Sequence, residues 1–264
     1  MSNSIFFSII IPTFNSEKII GSALKSLAVQ EFKNFEILIL DGLSTDRTKD
    51  VVYSFSSLQT KIKWFSKKDK GIYDAMNNGI DLAQGEWLYF LGSDDELHDT
   101  KTLKMVSEAI LNESKVDVIY GDVISKRFSG LYDGEFSLEK IFNRNICHQA
   151  IFLKKDIFKI TGKFDLKYKI YADWDNNLKW FLSKEIVNKY ISMVIANYAD
   201  GGFSSLNVDK IFLKDKEFKF LKLSYPARGE RYSYIRKQIK EALSKRKMKS
   251  LYKSIYKLRY VLRK

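Results

Sequence analysis

The sequence predicts an α/β fold in which a mostly parallel central sheet is flanked by helices and followed by a C-terminal helical extension. Three observations carry this. Short apolar runs alternate with amphipathic stretches through the first hundred residues, polar clusters follow three of the first four runs, and charge is concentrated near the C-terminus. Strand–helix alternation of this kind favours right-handed βαβ units around a parallel sheet, whose ligands gather at the carboxyl ends of the strands.

Phe7–Ile11 is a continuous apolar run, the pattern of a strand buried on both faces. Ser16 offers a helix cap, and Ile19, Ile20, Ala23, Leu24 and Leu27 then recur at helical spacing. A second strand over Phe35–Leu40 leads through the loop Asp41–Asp46 into a helix near Arg47–Ser56. A third strand, Ile62–Phe65, passes a charged loop to a helix from Tyr73 to Ala83, which Gly85 ends before a fourth strand at Glu86–Leu91. Beyond Ile110 the pattern predicts a strand at Val116–Tyr120 and a hairpin over Val123–Asp133. Helices are predicted near Glu139–Arg144, Lys154–Ile160 and Ala172–Leu182, and a nearly continuous helix from Val208, broken around Pro226–Gly229. The division is a domain over residues 1–205, halved at about residue 98, and a basic extension over 206–264.

At 264 residues, 45% of them hydrophobic, the chain can bury one substantial core. The single cysteine, Cys147, excludes an internal disulfide framework, and with only His98 and His148 beside it no structural zinc site can be assembled. The apolar run Ile5–Ile11 lacks a charged signal-peptide flank, and no run approaches the roughly 18 apolar residues that span a bilayer. The expected location is cytoplasmic, peripheral to the inner membrane. The net charge is +13, and fourteen lysines and arginines against two acidic residues between Pro226 and Lys264 account for twelve of it.

The polar clusters after the strands are Thr13/Asn15, Asp41/Ser44/Asp46 and Ser93/Asp94/Asp95, placed along one crevice. Adjacent carboxylates repel unless a cation or a helix N-terminus neutralises them. A divalent metal bridging Asp94 and Asp95 to a diphosphate meets that need; the alternative is that Ser93 or Asp94 caps the helix beginning near Thr100.

Taken in order, several segments resemble family-2 glycosyltransferases with the GT-A fold, in the bacterial polysaccharide-assembly branch. These segments are Ser8–Asn15, Phe35–Thr48, Asp69–Gly79, Gly92–Asp95, Cys147–Ala150 and Ala172–Asp175. The resemblance spans roughly residues 5 to 200, and its specificity lies in the ordered set. It implies a nucleotide-binding half over about 1–98 and an acceptor half over about 99–205. It also implies inverting transfer from a nucleotide-diphosphate donor, UDP-linked, to a glycan or polyprenyl-diphosphate-linked acceptor. Pro12, Thr13 and Asn15 would line the nucleotide pocket, Asp41 would accept a hydrogen bond from the base, and Asp94 would hold the ribose. Asp95 would ligate Mn2+ or Mg2+, and Asp173 aligns with the catalytic base.

The chemistry needs a stabilised leaving diphosphate and a deprotonated acceptor hydroxyl, which a metal at Asp95 and a base at Asp173 supply. Asp173 alternatively serves the helix dipole. His148 contacts the diphosphate or acceptor, or is a satisfied buried histidine. Trp174 stacks on a sugar or packs against its helix. Lys70 reaches a phosphate or belongs to a solvated loop. Asp74 and Asn77 share a helix face, directed at the nucleotide if that helix starts at Gly71 and otherwise capping it.

In the extension, Met248, Leu251, Ile255, Leu258 and Leu262 fall on one helical side, broadened by Tyr252, Tyr256 and Tyr260, with cations around it. Such a segment binds an anionic membrane surface, or packs on the domain with its charges in water. Nothing supports nucleic acid as a partner. A nucleotidyltransferase and a non-catalytic adaptor of the same fold are the competing functional readings.

Overall fold

The computed structural model describes residues 4–125, 130–132, 134–199 and 208–224. The basic amphipathic segment at 226–264 lies outside the described residues. Strands β1 (Phe7–Thr13), β2 (Phe35–Asp41), β3 (Ile62–Ser66) and β4 (Trp87–Phe90) form a parallel array in the order β3-β2-β1-β4. Helices α1 (Ile20–Ala28), α2 (Thr48–Ser54) and α3 (Ile72–Leu82) are the crossovers. The two-residue period of the strands divides their side chains between two cores. Ile9, Ile11, Ile37 and Ile39 pack with Ile20, Leu24 and Leu27 of α1, while Ile10, Leu38 and Leu40 pack with Met76 and Ile80 of α3. Both faces are therefore apolar, which is why the strands read as unbroken runs. Each such side chain contributes about 1.5–3 kcal/mol by leaving water.

At the amino ends of these strands the buried Glu36 accepts hydrogen bonds from Ser8 Oγ (2.5 Å), Lys63 Nζ (2.7 Å) and Gln84 N–H (2.6 Å). Three strands and the turn before β4 are joined through one carboxylate.

After β4 come β5 (Glu96–Leu97), α4 (Thr102–Leu111), β6 (Val118–Ser125), β7 (Gly130–Tyr132) and α5 (Leu138–Asn143). They are followed by β8 (Ile151–Lys154), α6 (Phe158–Thr161), α7 (Ala172–Leu182), β9 (Asn188–Asn197) and α8 (Lys210–Ser224). Strand β8 joins β4 antiparallel and the sheet continues β6-β9-β5, with β7 on β6. The pattern of the sequence did not place β5, β8 or β9. Strand β5 has two residues and β8 four, and β9 alternates half-buried with exposed positions such as Lys189 and Ser192. The helix expected at Lys154–Ile160 is instead the end of β8, a 3-10 turn over Lys155–Ile157 and the single turn α6.

Helix α8 packs on α7. Phe212 and Phe220 are buried in the core that holds Trp174 and Tyr168, and Lys219 pairs with the buried Asp175. Asp209, just before α8, accepts hydrogen bonds from Phe212 N–H (3.0 Å) and from Ile170 N–H (3.1 Å), the latter in the loop that leads into α7. Among the described residues no helix is long and apolar enough to cross a membrane.

Candidate active site

The parallel strands deliver their polar termini to one edge. Thr13 ends β1 and Asp41 ends β2, and the two are neighbours in register. Asp41 accepts hydrogen bonds from Ser44 N–H (3.1 Å) and Ser66 Oγ (2.5 Å), so β3 and the following loop hold its carboxylate in place. The Thr13 hydroxyl is buried without a hydrogen-bond partner. After Pro12 and Thr13 the chain turns through Asn15, whose φ of 48° is left-handed, and the facing loop turns through Leu43 at φ 68°. Non-glycine residues adopt that region at a cost, and such strain concentrates at functional loops. Here the Asn15 side chain accepts from Thr45 N–H (2.9 Å) and Ser44 Oγ accepts from Asn15 N–H (2.8 Å), which locks the two loops together.

The loop after β4 joins them through Ser93 Oγ, 3.2 Å from Ser16 Oγ. Asp95 is 2% exposed. Its Oδ2 accepts from Gln149 Nε2 (2.6 Å) and its Oδ1 from Ala199 N–H (2.8 Å). Burial, then the charge of neighbouring Asp94, pushes its carboxyl up to about 6. The two carboxylates converge over Gly92: a methyl group there would collide with Asp95 Oδ2 and lie 2.9 Å from Asp94 Oδ1. Neither is needed as a helix cap, because Asp99 Oδ1 accepts from Lys101 N–H (2.8 Å) and Thr102 Oγ1 (3.2 Å) at the start of α4. Asp95 is thus a desolvated carboxylate beside a like charge, relieved in part by its two donors and by the charge of His148. Among the described residues no group of three or more His, Cys, Asp or Glu side chains builds a complete metal cage. A hard divalent cation held by one or two carboxylates, with substrate phosphates completing its shell, suits such a pair.

Asp173 opens α7 and is 8% exposed. Its Oδ1 accepts from Tyr73 Oη (2.8 Å) and from Trp174 N–H (2.8 Å), and its Oδ2 from Asn145 Nδ2 (2.8 Å). His148 links the two carboxylate sites: its Nδ1 lies 3.6 Å from Asp173 Oδ2, and its charge acts on Asp95. Its Nε2 is buried with no hydrogen-bond partner.

The remaining residues singled out by sequence are used differently. Lys70 is exposed, and its backbone N–H donates to Asp74 (2.9 Å), so Asp74 closes the turn around Gly71, whose φ of 119° requires glycine. Asn77 spends its amide on both backbone groups of Phe164 (2.9 and 3.0 Å). Trp174 is buried, its indole N–H donates to Ile141 O (2.8 Å), and Lys216 and Phe212 cover its ring. Packing against α8 is its observed role. Four groups that touch the two carboxylates escaped sequence reasoning: Gln149, Ala199 N–H, Tyr73 and Asn145. Gln149 and Tyr73 sit inside segments that drew notice for other residues, while Asn145 and Ala199 carry no local signal.

Comparison with known proteins shows the family of the chain. The sequence model described as Glycosyl transferase family 2 matches residues 8–158. A PGL/p-HBAD biosynthesis glycosyltransferase of Mycobacterium bovis is 43% identical over 211 residues, which cover 79% of this chain and 82% of the relative. A GalNAc(5)-diNAcBac-PP-undecaprenol beta-1,3-glucosyltransferase of Campylobacter jejuni is 33% identical over 166 residues, 61% of this chain and 51% of the relative. Among solved structures, S. aureus TarS 1-349 in complex with UDP-GlcNAc superimposes with a TM-score of 0.70 at 22% identity. The match covers 86% of this chain and 69% of that one. The likeness to TarS shows the fold.

Proposed function

We propose that this chain, which belongs to glycosyl transferase family 2, performs inverting, metal-dependent transfer of a sugar from a UDP-linked donor to a glycan or polyprenyl-diphosphate-linked acceptor in cell-surface polysaccharide synthesis. Family membership makes it a glycosyltransferase and sets aside the nucleotidyltransferase and the non-catalytic adaptor. The single observation that carries the finer reading is the pairing of two unlike carboxylate sites. Asp94 and Asp95 converge over Gly92, where burial and like charge raise the Asp95 carboxyl, and Asp173 lies on the other side of His148, whose charge also acts on Asp95.

In this reading Asp95, with Asp94 beside it, would hold Mn2+ or Mg2+, which when bound would offset the charge of the leaving diphosphate. Asp41, fixed by Ser44 and Ser66, accepts a hydrogen bond from the base, and the unpartnered hydroxyl of Thr13 faces a polar ligand. The locked loops carrying Pro12, Asn15 and Leu43 wall the nucleotide pocket without having to order on binding. Asp94 holds the ribose hydroxyls. Asp173 takes the proton of the acceptor hydroxyl as that oxygen attacks the anomeric carbon. One base and one displacement invert the anomeric configuration, whereas glycosidases need two flanking carboxylates. His148, between the sites, contacts the diphosphate or the acceptor. The complex of TarS with UDP-GlcNAc and the lipid-linked acceptor in the name of the Campylobacter relative support the choice of donor and acceptor class.

Calorimetry of UDP with and without Mn2+ tests the metal and nucleotide assignment. The native chain is expected to bind UDP in a Mn2+-dependent way and Asp95→Ala to lose that dependence; equal binding without the metal would remove Asp95 from this role. NMR of the product settles inversion. The membrane location is a separate expectation resting on the twelve surplus positive charges of residues 226–264. Flotation with anionic liposomes should need those residues, and equal flotation of a chain ending at Tyr225 would overturn it.

A further inference from the structure

We infer that Tyr73 and Asn145 are positioning residues that lock the Asp173 carboxylate so that a single lone pair of Oδ2 is left to take the acceptor's proton. This rests on the reading of Asp173 as the base and specifies which of its atoms acts.

A carboxylate offers two acceptor sites on each oxygen. On Oδ1 both are occupied, one by Trp174 N–H (2.8 Å) and one by Tyr73 Oη (2.8 Å), whose single proton is shared with Ile170 O (2.5 Å). On Oδ2 one is filled, by Asn145 Nδ2 (2.8 Å), and His148 Nδ1 stands outside hydrogen-bond range at 3.6 Å. One site therefore remains, on the oxygen nearest His148.

The donors cannot turn away. Trp180 Nε1 donates to Asn177 Oδ1 (3.0 Å), and an indole N–H has no acceptor character, so the Asn177 amide has one orientation. Its Nδ2 then donates to Asn145 Oδ1 (2.8 Å) and Ile146 O (3.1 Å). That in turn leaves Asn145 Nδ2 to face Asp173. Asp173, Asn177 and Trp180 recur on one side of α7, so a single helix carries the base and the groups that orient its donor.

Tyr73 comes from α3, in the other half of the molecule, 100 residues away in sequence. Its hydroxyl lies 2.5 Å from Ile170 O and 2.8 Å from Asp173 Oδ1, so one proton ties both the loop before α7 and the carboxylate to α3. Burial, and then the charge of Asp173, raise the phenol well above its ordinary value, so it stays a donor. Because α3 starts just after Gly71, at the end of the loop that leaves β3, the nucleotide half sets the aim of the acceptor-half base.

The test is a double-mutant cycle in the full chain, with Mn2+ and UDP-sugar turnover as the activity and UDP calorimetry as the binding readout. Tyr73→Phe and Asn145→Ala should each lower kcat about tenfold or more, as misaimed groups do. Donor KM and the Kd for Mn2+–UDP should stay within about twofold, and neither variant should lower kcat further in an Asp173→Asn background. If both single variants keep native kcat, or if their losses persist undiminished beside Asp173→Asn, the positioning role is overturned while the base reading stands. If Asp173→Asn itself keeps native kcat, the base reading falls first. Should Tyr73→Phe fail to fold, Asn145→Ala alone decides.

Discussion

The loop after β4 and the start of α7 each carry a buried carboxylate that His148 acts on, but they hold it in opposite ways. Asp95 sits against a like charge, over a glycine, with its carboxyl pushed up to about 6 by burial and Asp94. Asp173 is surrounded by neutral donors from Tyr73, Asn145 and its own helix. The first arrangement leaves a carboxylate strained by its surroundings; the second is held by hydrogen bonds from the protein alone. The contrast teaches that electrostatic frustration and electrostatic pre-organisation are built from the same residue type, and that the surroundings decide the role.

Experiments can break that contrast at either side. The largest effect is expected for Asp173→Asn, which should lower turnover by about 10²–10⁴-fold, the worth of a general base, while calorimetry finds Mn2+–UDP binding unchanged. Loss of UDP binding in this variant would dissolve the distinction between the two carboxylates. Next, EDTA should abolish turnover of the native chain and added Mn2+ should restore it, whereas Asp95→Ala should not recover with Mn2+; the metal term is worth several kcal/mol. Gly92→Ala sharpens the same side. Its methyl group forces the two carboxylates apart, and the Mn2+ concentration for half-maximal activity should rise about tenfold, or 1.4 kcal/mol.

The smallest effect on turnover should come from Glu36→Gln, at the opposite end of the sheet. Burial pulls the Glu36 carboxyl up, but Lys63, Ser8 and Gln84 more than offset this and hold it below its ordinary 4.5. A depressed carboxylate contributes stability above its unfolded value and loses that contribution as pH falls through the folded one. Thermal melts should therefore show Glu36→Gln destabilised at pH 7 by about 1–3 kcal/mol. The gap to the native chain should narrow below pH 4.5, with kcat unchanged throughout.

What sequence reveals here follows the range of the interactions. β1 to β4 were legible because strands buried on both faces must be apolar at every position, and their ends must be polar where ligands sit. That rule singles out Thr13, Asn15, Asp41 and Asp95, which the fold does set at or just after the ends of β1, β2 and β4. β9 was not, since Ser192 and Lys189 break the apolar run, and two-residue β5 exists only by pairing with it. The donors that give each carboxylate its character were equally hidden. Gln149 and Ala199 reach Asp95 across 54 and 104 residues, and Tyr73 reaches Asp173 across 100. Their types, an amide, a backbone N–H and a phenol, are ordinary until the fold brings them to a charge. Asn77 and Trp174 show the converse: residue types that suit a binding site, spent on Phe164 and on α8.

The hydrogen-bond chain from Trp180 through Asn177 to Asn145 has a consequence best stated as a count of states. Two side-chain amides that hydrogen-bond each other can in principle be arranged in two ways, one the reverse of the other, and a site with two arrangements must select one each time it works. The indole admits one. That selection is made once, when the chain folds, and it leaves the surroundings of Asp173 with no rotational choice to make.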